Sequence, residues 1–192
     1  TDQFRASQFL LGEAKMKTGN FKFFAVTISV ALQLANTVYA QDQVDNITAS
    51  YKEDGKYFTA DDVPTFNVQD DGTIDWPSYS GFRRYHSECH VCHGPEGEGS
   101  SYAPALKNSA VSMDYYDFIG VVASGRENIS ASVTSVMPSL GDNPNVMCYL
   151  DDIYVYLKAR GMDKIPRGRP RKKEKKHAVI REDEEDCLDS GT

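Results

Sequence analysis

Cys89-His90-Val91-Cys92-His93 carries the strongest chemical signal in this chain. Two thiols stand three positions apart, and an imidazole follows the second. Thiols at that separation can form thioether bonds to both vinyl groups of one porphyrin. The adjacent histidine then points at the iron from one side. Cys-x-x-Cys-His is therefore read as the attachment pattern of one covalent haem c, with Cys89 and Cys92 as thioether donors and His93 as an axial ligand to iron. Two other chemistries use these residue types. A thioredoxin-like redox pair sits between a strand and a helix of a parallel α/β pattern, and no such pattern is visible. A zinc site needs four convergent ligands, and the chain has no second Cys-x-x-Cys or paired histidines.

Upstream, residues 16–40 have the layout of an export signal: Lys17 and Lys22, a mainly apolar run from Phe23 to Ala35, and Val38-Tyr39-Ala40 as a small-x-small cleavage pattern. The run is shorter than the roughly 20 apolar residues that span a bilayer, so cleavage is expected rather than stable membrane insertion. Residues 1–15 precede Met16 and are assigned no function. The exported chain is expected to begin near Gln41. Residues 1–40 hold Arg5, Lys15, Lys17 and Lys22 against Asp2 and Glu13, so the rest of a chain of formal charge −7 carries −9. A chain this acidic repels phosphates, and no nucleic-acid partner is expected.

Four segments follow: 1–40 as upstream residues and signal, 41–75 as an acidic extension, 76–162 as the globular domain, and 163–192 as a charged tail. The extension has nine Asp or Glu against Lys52 and Lys56, and an extended arm with a short hairpin over 57–68 is expected. Tyr51, Tyr57, Phe58 and Phe66 argue against disorder. In the domain, helices are expected from Pro77 or Ser78 to Glu88, from Met113 to Ala123, and from Asn143 to just before Gly161. Asn143 offers a cap, Pro144 suits the first helical position, and Val146, Tyr149, Leu150, Ile153 and Leu157 mark one apolar face. Residues 128–142 read as loop. Lys164 to Lys176 holds eight basic residues and one Glu, and Glu182 to Asp186 is a run of five acids. Such blocks read as solvated tail, serving either solubility or electrostatic steering of a partner.

Gly81, Tyr85, the cysteine motif, Gly94, Gly97, Gly99 and Pro104 together resemble the class I cytochromes c. The resemblance implies an all-α fold, with a few helices around one covalent haem, the extended N-terminal arm and the charged tail being additions. It implies that Gly81 and Tyr85 meet the Ile153–Leu157 face where the first and last helices cross. It also implies that the Pro104 carbonyl orients His93. Candidates for the second axial ligand are Met113, Met137, Met147, Met162, His86, His90 and His177. Met137, in a loop before Pro138, matches the family's Met-Pro loop and is favoured. Met113 and Met147 fall in expected helices and read as core, while His86 and His90 stand too near the attachment site. With imidazole and thioether on iron, no position is open for substrate, so an electron-transfer protein is expected rather than an enzyme. The alternative is a haem-based peroxidase or gas sensor with an open iron position.

A narrower resemblance rests on YSGFRRYHSECHVCHG (79–94), SYAPAL (101–106), FIGVVASGR (118–126), VMPSLGDNPNVMCYLDDIYVYLKARG (136–161), RGRP (167–170) and a late cysteine. These are similar to the methanol-metabolism-related, four-cysteine c-type cytochromes. That likeness implies a periplasmic carrier of single electrons, from a PQQ-dependent (lanthanide-type) methanol or alcohol dehydrogenase to a downstream cytochrome or oxidase. It also implies that Cys148 and Cys187 pair as a disulfide.

Overall fold

Asp75 caps the helix that leads into the cysteine motif. In the computed structural model, which describes residues 49–129 and 134–191, its carboxylate accepts from Ser78 N at 2.7 Å, Ser78 Oγ at 3.0 Å and Asn67 N at 2.6 Å. The export signal expected at 16–40 and the start of the arm lie outside the described residues. Helix α1 spans Trp76–Glu88, with Pro77 in the first turn, where a missing N–H costs nothing. Burial pushes the Asp75 carboxyl up to about 6 although all three hydrogen bonds pull the other way.

Before α1, the arm folds as a small antiparallel sheet: β1 (Tyr51–Glu53), β2 (Lys56–Phe58) and β3 (Pro64–Thr65). The Asp54-Gly55 turn takes left-handed φ values of 47° and 85°, as a two-residue hairpin requires. The β2–β3 pairing, Phe58 opposite Pro64, falls inside the hairpin expected at 57–68.

After α1 come α2 (His90–His93), a 3-10 turn (Pro95–Gly97), α3 (Leu106–Ser112) and α4 (Tyr115–Ser124). They are followed by the hairpin β4 (Arg126–Ile129) and β5 (Thr134–Met137), then α5 (Pro144–Met147), α6 (Leu150–Gly161) and α7 (Ala178–Ser190). The chain is mostly helical, as a class I fold demands, with two small sheets added. Three expectations are corrected. The helix expected from Met113 begins at Tyr115, because Asp114 accepts from Tyr116 N at 2.8 Å and supplies the cap. Part of the loop expected at 128–142 pairs as strand. The last helix opens as expected, with Asn143 accepting from Asn145 N at 3.0 Å, but it stops after one turn. Tyr149, at φ −129°, separates α5 from α6.

Helix α6 is the centre of the core. Its expected stripe is buried, and so are Tyr154, Val155, Tyr156 and Ala159 on its other sides, because α1, α3 and β3 pack around it. The α1–α6 crossing is set by Gly81. A Cβ there would lie 1.9 Å from Asp152 O and 2.8 Å from Tyr156 Cβ, so only hydrogen fits between the two backbones. Tyr85 is fully buried beside this contact, its ring 5.9 Å from that of Tyr156.

The tail is not a solvated appendage. Glu174 N donates to Ile74 O at 2.8 Å, and the Glu174 carboxylate takes Lys52 Nζ at 2.9 Å, Tyr57 OH at 2.8 Å and Gln69 Nε2 at 3.2 Å. The acid block forms α7, whose Cys187 is bonded to Cys148 at the end of α5, with Cα atoms 5.8 Å apart. The loop closed by this bond, 39 residues in sequence separation, corresponds to ~4 kcal/mol of denatured-state entropy.

Two outcomes are expected in urea unfolding. Gly81→Ala forces α1 off α6 and lowers stability by about 3 kcal/mol. Asp152, buried beside this contact, has its carboxyl pushed up to about 8 by burial. The folded state then holds a proton that the unfolded chain releases near pH 4, so stability falls as pH rises from there towards 8. Asp152→Asn removes that slope and is the more stable protein at pH 8, by on the order of 2 kcal/mol.

Candidate functional site

The cysteine motif stands where α1 gives way to the single turn of α2. Cys89 ends α1, its N–H donating to Tyr85 O at 2.9 Å, and His93 N donates to Cys89 O at 3.0 Å. One helical turn therefore separates Cys89 from Cys92 and puts both thiols on one side. They are not bonded to each other. Cys89 is half-buried and Cys92 exposed. Burial pushes the Cys89 thiol up to about 12.

His93 is buried, and its Nδ1 lies 2.9 Å from Pro104 O. A carbonyl only accepts, so Nδ1 carries a proton, and in the neutral ring the lone pair is on Nε2. The ring is thereby fixed in both tautomer and direction. Eleven positions separate the two residues, and the loop between them is tied down at several points. Gly99 N donates to His93 O at 2.8 Å. Ser100 Oγ donates to Cys92 O at 2.5 Å and accepts from Tyr102 N at 2.9 Å. Gly94 takes φ +72°, and a Cβ on it would lie 2.1 Å from Gly99 O.

Three further groups hold this loop, and none was picked out for that role from sequence. Tyr85 OH donates to Gly94 O at 2.6 Å and sits 3.2 Å from His93 O. Glu96 adopts a left-handed φ of +56° and is buried, and its carboxylate accepts from Arg167 Nε at 2.8 Å and Gly168 N at 2.7 Å. Burial alone would raise the Glu96 carboxyl, but the Arg167 and Gly168 hydrogen bonds outweigh it and hold it below the usual range. Glu98 receives Arg160 Nη2 and Arg167 Nη1, each at 3.3 Å. The Glu96–Arg167 contact spans 71 positions, and no local pattern signals it.

Cys89, Cys92, His93 and Pro104 are thus joined through one loop. Met137 stands on a separate element, at the end of β5 opposite Arg126, and is partly buried against the hydrophobic core. Met113, Met147 and Met162 are partly buried against that core too, and Met113 caps α3 rather than lying inside a helix. His86 Nδ1 lies 2.8 Å from Phe82 O, and His177 sits at the N-terminus of α7. Among the described residues, no group of three or more His, Cys, Asp or Glu side chains is placed to hold a metal ion by itself. The sheets are small, and all their paired strands are antiparallel, which is not a thioredoxin-like setting. Two thiols one turn apart, an imidazole with its outer nitrogen available and a carbonyl fixing the other nitrogen fit a covalent haem c.

Comparison with known proteins leads the same way. The chain is 50% identical over 143 residues to cytochrome c-553I of Paracoccus denitrificans; the match takes in 74% of this chain and 63% of that protein's length. It is 35% identical over 96 residues to cytochrome c-555 of Methylococcus capsulatus, covering 50% of this chain and 72% of that protein. The crystal structure of the c-type cytochrome XoxG from Methylobacterium extorquens AM1 superposes with a TM-score of 0.70 at 49% identity, covering 77% of this chain and 91% of that one. No family model matches the chain.

Tyr85→Phe keeps the ring and deletes the hydroxyl that serves the Gly94 carbonyl. A loss of about 1–2 kcal/mol in urea unfolding is expected, since a buried acceptor is left without its partner.

Proposed function

The chain belongs to the class I c-type cytochromes, and on that premise we propose that it is a periplasmic monohaem carrier of single electrons, taking them from a PQQ-dependent methanol or alcohol dehydrogenase and passing them to a downstream cytochrome or oxidase. The observation that carries the reading is the His93 Nδ1–Pro104 O contact of 2.9 Å beside two free thiols. Cys89 and Cys92 supply the thioether bonds, and His93 supplies Nε2 to the iron. A haem held by these residues would supply one-electron ferric/ferrous chemistry. Pro104 O holds the His93 proton on Nδ1, the nitrogen away from the one that would bind iron. The ties from Tyr85, Ser100 and Gly99 limit movement of the loop, which suits transfer with little rearrangement.

Met137 is assigned as the second axial ligand. Its place just before Pro138, at the end of β5, supports this over the other methionines. A thioether on that side leaves no position for peroxide or a gas and favours the reduced state. The donor class rests on the sequence likeness to the four-cysteine cytochromes, which the Cys148–Cys187 bond completes. No helix among the described residues is long and apolar enough to cross a membrane.

Two measurements test these assignments. Reduced methanol dehydrogenase is expected to reduce the oxidised holoprotein in stopped-flow mixing at micromolar concentration, and no reduction removes that donor. Met137→Ala is expected to lower the midpoint potential and admit carbon monoxide to the ferrous protein. Rapid carbon monoxide binding by the unsubstituted protein favours a gas-binding or peroxidase role instead.

A further inference from the structure

Seven cations among the described residues have a carboxylate beside them. Lys52 meets Glu174, Lys56 meets Asp183, Lys107 and Arg160 meet Glu98, Arg167 meets Glu96, Lys172 meets Asp71 and Lys176 meets Glu184. Other cations among these residues have none, and three of them gather around one tyrosine. On α1, Tyr79 and Arg83 are one turn apart and share a face. Across from them, Arg169 Nη2 donates to Tyr79 OH at 2.7 Å, and Lys173 Nζ stands 4.5 Å from the centre of the Tyr79 ring. Arg83, Arg169 and Lys173 are all exposed, and among the described residues none has a carboxylate partner. Arg171 and Lys175, exposed on the same strap (residues 167–176, between α6 and α7), have none either.

Gathering like charges on one tyrosine costs free energy that the fold could have relieved with any of its many acids. The strap is also held in place at both ends. Arg167 and Gly168 grip Glu96 beside the haem loop, and the Cys148–Cys187 bond pins α7. A ligand that binds the strap therefore does not have to order it first. Arg83 lies six residues before Cys89, roughly 9 Å along α1, so the cluster flanks the element that leads into the attachment motif.

We propose that Arg83, Arg169 and Lys173, centred on Tyr79 and flanked by Arg171 and Lys175, form the docking face for an acidic surface of an electron-transfer partner protein. The inference rests on the electron-carrier reading but not on the identity of the donor. The occupant is a protein carboxylate surface, because the rest of the chain is net negative. A broad anionic sheet would meet that negative charge as well, whereas a local acidic patch meets only the strap and α1. The tyrosine ring adds an aromatic floor on which the two strap cations are already oriented.

The test uses the intact holocytochrome. Poly-L-glutamate titrated into the isotope-labelled protein at about 0.02 M salt is expected to shift the amides of Arg83 and of residues 169–175, and the shifts should vanish near 0.5 M salt. The double variant Arg169→Gln, Lys173→Gln is expected to weaken that binding about fivefold and to slow reduction by methanol dehydrogenase by a similar factor, with the midpoint potential unchanged. A control pair on α7, Glu182→Gln with Glu185→Gln, should not weaken either. Shifts elsewhere, or equal binding by the double variant, overturn the proposal. Tighter binding to vesicles containing phosphatidylglycerol than to poly-L-glutamate also overturns it, in favour of a lipid surface. If the unsubstituted protein is not reduced by the dehydrogenase, the donor assignment fails while the titration still decides the docking face.

Discussion

At Gly81 the backbones of α1 and α6 touch, and much of the molecule depends on that approach. A hydrogen atom occupies the space where any side chain would strike Asp152 O. Because the helices close to backbone contact, Tyr85 and Tyr156 can fill the adjoining volume, and Tyr85 reaches the Gly94 carbonyl with its hydroxyl. The same ring thus packs the helix crossing and holds the loop that follows His93. Packing and site geometry are here one constraint: loosening the crossing would move the hydroxyl and, with it, the path from His93 to Pro104.

Around this centre the arm and the tail form a second layer, and their contacts differ in weight. Ion pairs such as Lys172–Asp71 join exposed side chains and are worth little alone. The Cys148–Cys187 bond, at ~4 kcal/mol on loop length, outweighs any one of them. Between these extremes is Glu174, half-buried, which gathers Lys52, Tyr57 and Gln69 from the arm. It turns two stretches of opposite charge into one connected surface. The bond fixes where the tail ends, and the polar contacts choose its path.

The buried carboxylates show what the fold tolerates. Asp75 answers its burial with three hydrogen bonds, two from Ser78 in the first turn of α1 and one from Asn67 N in the arm. Asp152, at the helix crossing, is driven upward by burial and keeps its proton near neutral pH. Glu96 is buried as well, yet stays ionised because Arg167 reaches it. The three differ in the partner within reach: backbone donors, little beyond a hydroxyl, or a guanidinium.

Some of this is written in short-range sequence chemistry. The thioether pattern at Cys89, Cys92 and His93 is local because one helical turn spaces the thiols. The caps at Asn143 and the start of α1 are local because a side chain bonds the backbone two or three residues on. The apolar stripe of α6 follows from helical periodicity. The pairing of Cys148 with Cys187, and the role of Pro104 towards His93, came from likeness to a family, since nothing local joins residues that far apart. What only the tertiary structure decided are contacts across long separations: Glu96 with Arg167, Glu174 with the arm, Arg169 and Lys173 on Tyr79, and burial of α6 on every side. Each depends on where the chain returns to itself. That path is set by the close packing at Gly81 and by the disulfide, and no single segment carries enough information to state it.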